Sequence, residues 1–296
     1  MTYGIHDVPV EGGALRVGEW RPDDPAAPTV IAVHGVTASH LAWAMLAEAL
    51  PDMRLIAPDL RGRGRSCGLP GPYGMARHAA DLEAVIQALE LPRALLVGHS
   101  MGGFVAVVAA HLYPDRFSEL LLIDGGLPLA IPAGISKDDL LAAVLGPAAS
   151  RLSMTFPDRP AYLEFWRNHP AFSSEWSQAV VDYANYDLIG TEPELRPSCS
   201  FEAMKEDSME LLGGESVLSA LVALGQPVTL MTAPRGLLNQ TPGLYGPSEI
   251  ERWKAELPAV TIREVPDVNH YTIVMSAAGA HAVGRELRRR WSRPRK

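Results

Sequence analysis

The chain has 296 residues, 47% of them hydrophobic and 20% charged, enough apolar material to bury one large core and a composition that excludes a disordered protein. Its formal net charge of -8 argues against nucleic acid as a main partner, because phosphate binding needs a basic surface. The two cysteines, Cys67 and Cys199, lie far apart and outside metal-ligand spacing, so a disulfide framework is not expected and a reducing compartment is the default.

The N-terminal "MTYGIHDVPVEGG" lacks a basic region followed by an apolar core, and no apolar run reaches membrane-spanning length. A cytoplasmic protein without a membrane partner is the economical expectation. Through the first 125 residues, strand-like runs alternate with helix-like segments, the pattern of a mostly parallel sheet flanked by helices. "TVIAVHG" ends in a glycine turn and precedes the helical "HLAWAMLAEAL"; "RLIAPDLRGRG" repeats the strand-then-loop form. "ARHAADLEAVIQALEL" reads as an amphipathic helix with Ala80, Val85, Ala88 and Leu89 on its buried side. "RALLVGHS" is a strand, "MGGFVAVVAAHLY" a helix closed by Pro114, and "SELLLIDGG" a further strand closed by two glycines. These apolar runs are nearly continuous, as expected for strands buried on both faces.

From Leu127 to Gln226 prolines, aromatics and methionines become frequent and no strong strand run appears. The expected organisation is therefore a core of residues 1–126 and 227–296, with a helical lid inserted at 127–226. "PVTLMTAP" and "VTIREVPDVNH" restore two strands around a helix near Pro247 to Leu257, and a final helix runs from about Met275 to Trp291. The basic "RELRRRWSRPRK" from Arg285 reads as a solvated last helix, its cations opposing the negative end of the helix dipole, and a frayed tail.

The stretch "LLVGHSMGG" carries the chemistry. Gly98-His99-Ser100-Met101-Gly102 fits G-x-S-x-G at the junction of a strand and a helix, where flanking glycines permit a tight turn. Ser100 there projects above the carboxyl edge of the sheet, and the helix N-terminus offers partial positive charge to an oxyanion. A nucleophilic serine needs a base. His270, after the last strand run and close to the final helix, has the right position; His34 and His99 flank loops, and His111, His169 and His281 fall on helix or lid surfaces.

"VHGVTAS", "APDLRGRGRS", "LVGHSMGG", "LLLIDGG" and "VPDVNH" together resemble the α/β-hydrolase superfamily in its lidded form, along almost the whole chain. The resemblance implies the α/β-hydrolase fold, Ser100 as nucleophile, His270 as general base and the backbone amides of Val36 and Met101 as the oxyanion hole. After "PVTLMTAP" most members supply an acid, but here the first carboxylate is Glu249. Asp124, at the end of "LLLID", occupies the alternative position used by some members and is assigned as the acid; Asp267, three residues before His270, is the rival and reads better as a loop-capping residue. "RGRGRS" lacks the G-K-[ST] of a phosphate loop and resembles the segment that buttresses the floor of the site.

The implied activity is hydrolysis of a small carboxylic ester or lactone through an acyl-enzyme, without metal or organic cofactor. Trp43, Met154, Phe156, Trp166 and Tyr186 are candidates to line an apolar pocket; Arg235 could orient an acidic substrate but reads better as a helix-adjacent surface arginine. Cleavage of a carbon–carbon bond, thioester or amide on the same fold, or a ligand-binding sensor with vestigial hydrolysis, stand as alternatives.

Overall fold

The computed structural model describes residues 1–131 and 134–291; the tail after Trp291 lies outside the described residues. An N-terminal hairpin, β1 (Thr2–Val10) and β2 (Gly13–Arg21), leads into β3 (Thr29–Val33), a 3-10 turn at His40–Trp43, α1 (Ala44–Ala49) and β4 (Arg54–Pro58). Next come α2 (Met75–Ala88), β5 (Ala94–His99), α3 (Met101–Leu112) and β6 (Phe117–Ile123). One eight-stranded sheet results once β9 (Val228–Thr232) and β10 (Thr261–Glu264) are added. Its order is β1-β2-β4-β3-β5-β6-β9-β10, with β2 antiparallel to both neighbours and every later pair parallel.

The hairpin is the element that composition hides. Most β1 side chains are partly or fully exposed, so no apolar run announces it; the alternation and the Gly12-Gly13 turn, both at positive φ, were its signal. The central strands behave oppositely: β3 and β5 are buried at every position. Alternate residues divide between two apolar clusters. Ile31, Val33, Leu96, Leu120 and Leu122 meet α2 and α3 on one face, while Val30, Ala32, Leu95, Val97 and Leu121 meet α1 on the other. The buried side of α2 is Met75, His78, Ala79, Leu82, Val85 and Ile86, spaced three and four apart. Of the four positions expected, Val85 is fully buried, Ala80 and Leu89 are half-buried and Ala88 is exposed, because the true stripe is rotated about one residue from the chosen one.

Between β6 and β9 lie α4 (Lys137–Leu152), α5 (Arg159–Arg167), α6 (Gln178–Asp187), the two-stranded ribbon β7 (Leu188–Ile189) with β8 (Arg196–Pro197), and α7 (Phe201–Ser208). The sequence starts all four of these helices in the same way. Ser136, Asp158, Ser177 and Ser200 each accept a hydrogen bond from the backbone amide three residues on, at 3.1, 2.8, 3.4 and 3.3 Å. The helix that follows, α8 (Glu215–Ala223), packs on α3 and places Val217, Ala220 and Leu221 in the core. It belongs to the layer covering the sheet, as the right-handed crossover between parallel β6 and β9 requires. The inserted helical segment thus ends near Gly214, about a dozen residues before the boundary drawn from composition. After β9 come α9 (Pro247–Glu256) and, beyond β10, α10 (Thr272–Met275) and α11 (Ala277–Trp291); α11 is the expected last helix, and the short α10 before it is set off by Ser276, whose backbone is extended.

Candidate active site

Ser100 sits between the last residue of β5 and the first of α3 at φ 55°, ψ -123°, a conformation that costs a non-glycine residue on the order of 1–3 kcal/mol. The turn is held by close backbone packing. A Cβ on Gly98 would collide with the Gly102 carbonyl, and one on Gly102 with the Val33 carbonyl, so both glycines of the motif are there for approach distance. The Ser100 amide donates to the Ile123 carbonyl at 2.9 Å, which ties the turn to the end of β6.

One residue beyond that carbonyl is Asp124, fully buried and at φ 44°. Its Oδ2 accepts from His270 Nδ1 at 2.7 Å, and its Oδ1 accepts from the Ala233 amide at 3.0 Å. Ala233 follows β9, the strand end that carries no carboxylate in this chain. That end contributes an N–H to Asp124 instead. Asp267 is elsewhere: exposed, at φ 61°, with its backbone carbonyl accepting from Arg235 Nη2 at 2.7 Å.

Two buried groups hold His270: Asn269, which sequence reasoning did not single out, and His99, weighed there only as a candidate base. Asn269 Oδ1 accepts from the Tyr271 and Thr272 amides at 3.0 and 2.9 Å, and the Asn269 amide donates to Thr272 Oγ1 at 2.8 Å. This reciprocal cap was legible as N-x-x-T. His99 Nε2 donates to the His270 carbonyl at 2.8 Å, with ring centroids 4.7 Å apart. Since a carbonyl only accepts, the His99 proton is on Nε2. Burial, reinforced by the neighbouring His270, holds His99 well below the ordinary histidine range, so it remains a neutral brace.

His34 is neutral for the same main reason, burial, which pushes it down to about 4. Its Nε2 accepts from the Leu60 amide at 2.9 Å, leaving Nδ1 to donate to the Gly35 carbonyl at 2.8 Å. His111 and His281 are exposed on helices, and His169 is half-buried against Trp166 and Tyr271.

Ser100, Asp124 and His270 line one cleft with Val36 and Met101. Leu129, Leu140, Leu141, Leu211, Leu212 and Leu244 line its wall together with Phe104, Val274 and Met275, and Thr37, Tyr183, Tyr245 and Tyr271 add polar edges. Among the described residues no arginine or lysine lines it. Arg235 instead donates to Asn239 Oδ1 at 2.8 Å and ties two loops together.

The five aromatic and methionine positions expected to form the pocket all lie outside this lining. Trp43 is fully buried beneath the sheet face, edge-on to His99. Phe156 and Trp166 pack with Tyr162 and Phe165 inside the helical segment. Tyr186 donates to Asp59 Oδ2 at 2.6 Å, and Met154 is exposed. Large aromatic rings give most burial when they pack on one another, and here they form the interior of the inserted segment.

The sequence matches the family described as the alpha/beta hydrolase fold over residues 28–179. With that match, the sheet order and the strand-turn-helix at Ser100, the chain belongs to the α/β-hydrolase family. It is similar to a Bacillus subtilis protein provisionally named 2-succinyl-6-hydroxy-2,4-cyclohexadiene-1-carboxylate synthase, 34% identical over 51% of this chain and 54% of that one. It is also similar to the 3-hydroxybutyrate-oligomer hydrolase of Cupriavidus necator, 29% identical over 85% of each chain. The first of these alignments spans about half the length of the relative. In structure, the crystal structure of E-2-(acetamidomethylene)succinate hydrolase superposes with a TM-score of 0.78 over 97% of each chain, at 22% identity, a likeness of fold.

Proposed function

We propose that this protein is a serine hydrolase that cleaves a carboxylic ester, lactones included, through an acyl-enzyme on Ser100. The observation that carries the reading is the 2.7 Å contact between His270 Nδ1 and a fully buried Asp124, in the same cleft as a serine at positive φ on a helix N-terminus. Asp124 fixes the imidazole with its proton on Nδ1, leaving Nε2 to take the Ser100 proton as Oγ attacks the carbonyl carbon. The tetrahedral oxyanion is received by the Val36 and Met101 amides, the latter at the first turn of α3, where the helix dipole adds to it. His270 then protonates the leaving alkoxide, and on deacylation takes a proton from water.

The leucine wall and the absence of lining cations among the described residues favour substrates whose acyl and alcohol portions are uncharged and apolar. The 3-hydroxybutyrate-oligomer hydrolase, named for action on a hydroxy-acid oligomer, is consistent with hydrolytic chemistry in this family. The inserted segment of α4 to α7 acts as a lid that supplies much of that wall.

Labelling with a fluorophosphonate, peptide mapping of the adduct and a panel of p-nitrophenyl esters and lactones tests the reading. An adduct on Ser100 with ester turnover is expected. Ser100→Ala should lose about 10⁶-fold in kcat with a melting temperature at or above that of the parent. Near-normal turnover by Ser100→Ala would remove the mechanism, and thioester or amide turnover exceeding ester turnover would move the substrate class.

A further inference from the structure

The loop that carries Val36 is fixed in an unusual way: three successive carbonyls each accept from a different buried side chain. The Gly35 carbonyl accepts from His34 Nδ1 at 2.8 Å, the Val36 carbonyl from Arg63 Nε at 2.9 Å, and the Thr37 carbonyl from Arg151 Nη2 at 3.2 Å. Because a peptide unit is planar, the held Gly35 carbonyl sets where the Val36 N–H points, and the held Val36 and Thr37 carbonyls fix the two peptide units that follow it. His34 lies within the same loop. The two arginines reach it from elsewhere.

Both guanidinium groups are almost wholly buried, and each is balanced by a buried carboxylate from the inserted helical segment. Arg63 pairs with Asp207 of α7, which also accepts from His78 Nε2 at 2.9 Å and the Gly74 amide at 2.6 Å. A second guanidinium nitrogen of Arg63 lies 3.8 Å from Met101 Sδ, so this one side chain touches both residues that supply the oxyanion amides. Arg151, on α4, pairs with Asp187 of α6, and Tyr162 and Ser198 satisfy the rest of that carboxylate. Nothing in the acyl-transfer steps uses either pair. A buried ion pair with apolar neighbours is weak as a stabilising device, which makes a positioning role the more economical account of two of them converging on one loop.

We propose that Arg63 and Arg151 are positioning residues for the oxyanion loop, each held by a carboxylate of the inserted segment, so that docking of the segment fixes the two peptide units that directly follow the Val36 amide and thereby holds that amide in place. The inference rests on the serine-hydrolase reading, because an oxyanion loop has work only if a tetrahedral intermediate forms. It makes the segment part of the catalytic apparatus as well as a wall of the cleft.

Arg151→Lys tests it most directly. Lysine keeps the charge beside Asp187, but its single nitrogen cannot also span to the Thr37 carbonyl in Arg151's fork geometry. Turnover of a p-nitrophenyl ester should fall about 10- to 100-fold in kcat with KM within about threefold of the parent. The affinity of an alkyl trifluoromethyl ketone, which forms a tetrahedral oxyanion on Ser100, should fall by the same factor. Binding of the product carboxylic acid should be unaltered.

If Arg151→Lys does not fold, Arg63→Lys is measured in the same way, since it removes the donor to the Val36 carbonyl. Parent-like kcat in the folded variant overturns the proposal, and so does lost kcat with unaltered ketone affinity. A parent protein that neither labels at Ser100 nor turns over esters sinks the hydrolase reading itself, a result read before any variant is made.

Discussion

The carboxyl edge of the sheet and the helical segment above it contrast in what their burial accomplishes. At the sheet edge the buried polar groups converge on single atoms: Asp124 on His270, His99 and Asn269 on the loop that carries it. In the helical segment the buried mass is largely aromatic, with Tyr162, Phe165 and Trp166 packed against one another, while Leu140, Leu141, Ala148 and Tyr183 line the cleft. The candidate catalytic groups are therefore concentrated in the scaffold, and the insertion contributes walls of the cleft. The two are joined through Arg63 and Arg151.

The largest way to break that contrast is to remove the acid. Asp124→Asn leaves a residue of the same shape but one that cannot hold an imidazolium, and kcat should drop about 10⁴-fold. Asp267→Asn, at an exposed position of the loop that carries His270, should stay within a few-fold of the parent. Steady-state kinetics on one ester decides between them, and the reverse ranking would relocate the acid to the histidine loop.

A second test sharpens the electrostatic side. His34 is held at about 4 by burial, against about 6.5 in an unfolded chain. As pH falls through that window the unfolded chain binds a proton that the folded one refuses, so this contribution is fully present above 6.5 and is lost toward 4. The loss from His34 alone is about 3 kcal/mol, and His99 acts in the same direction. Asp59 and Asp207 fail in a lower window. Burial opposes their charge, but His40 beside Asp59, and His78 with Arg63 beside Asp207, outweigh it and hold each carboxyl down to about 2, so their contribution goes between about 3.8 and 2. Urea unfolding at pH 7.5 and 4.5 should show a fall of several kcal/mol, and equal stability at the two values would contradict the neutral, buried imidazoles.

Why some of this was legible in the sequence follows from what each signal encodes. The strand-turn-helix around Ser100 is local, since glycines 98 and 102 are demanded by backbone atoms within a few residues or on the adjacent strand. The family pattern points to Asp124 because the slot after β9 lacks a carboxylate, and in the structure Asp124 meets His270 and the Ala233 amide at that strand end. The pocket was not legible. Phe156 and Leu141 are both apolar residues on one inserted segment, and only the packing of α4 to α7 determines that the phenyl ring turns inward to Tyr162 while the leucine lines the cleft that holds Ser100. Arg63 and Arg151 were hidden for a similar reason: their carboxylates lie 144 and 36 residues away.

That pair of apolar residues gives the smallest and most discriminating test. Phe156→Ala removes a ring buried against Tyr162 and Phe165 and should cost about 3 kcal/mol of unfolding free energy, with kcat/KM within a few-fold of the parent. Leu141→Ala enlarges the cleft wall at a half-buried position and should cost less in stability. It should move the ratio of kcat/KM between octanoyl and butanoyl esters about tenfold toward the longer chain, since a few methylenes of apolar contact are worth 1–3 kcal/mol at most. Should Phe156→Ala shift chain-length preference while Leu141→Ala leaves it alone, the aromatic cluster would become the acyl pocket and the division between shape and packing inside the segment would have to be redrawn.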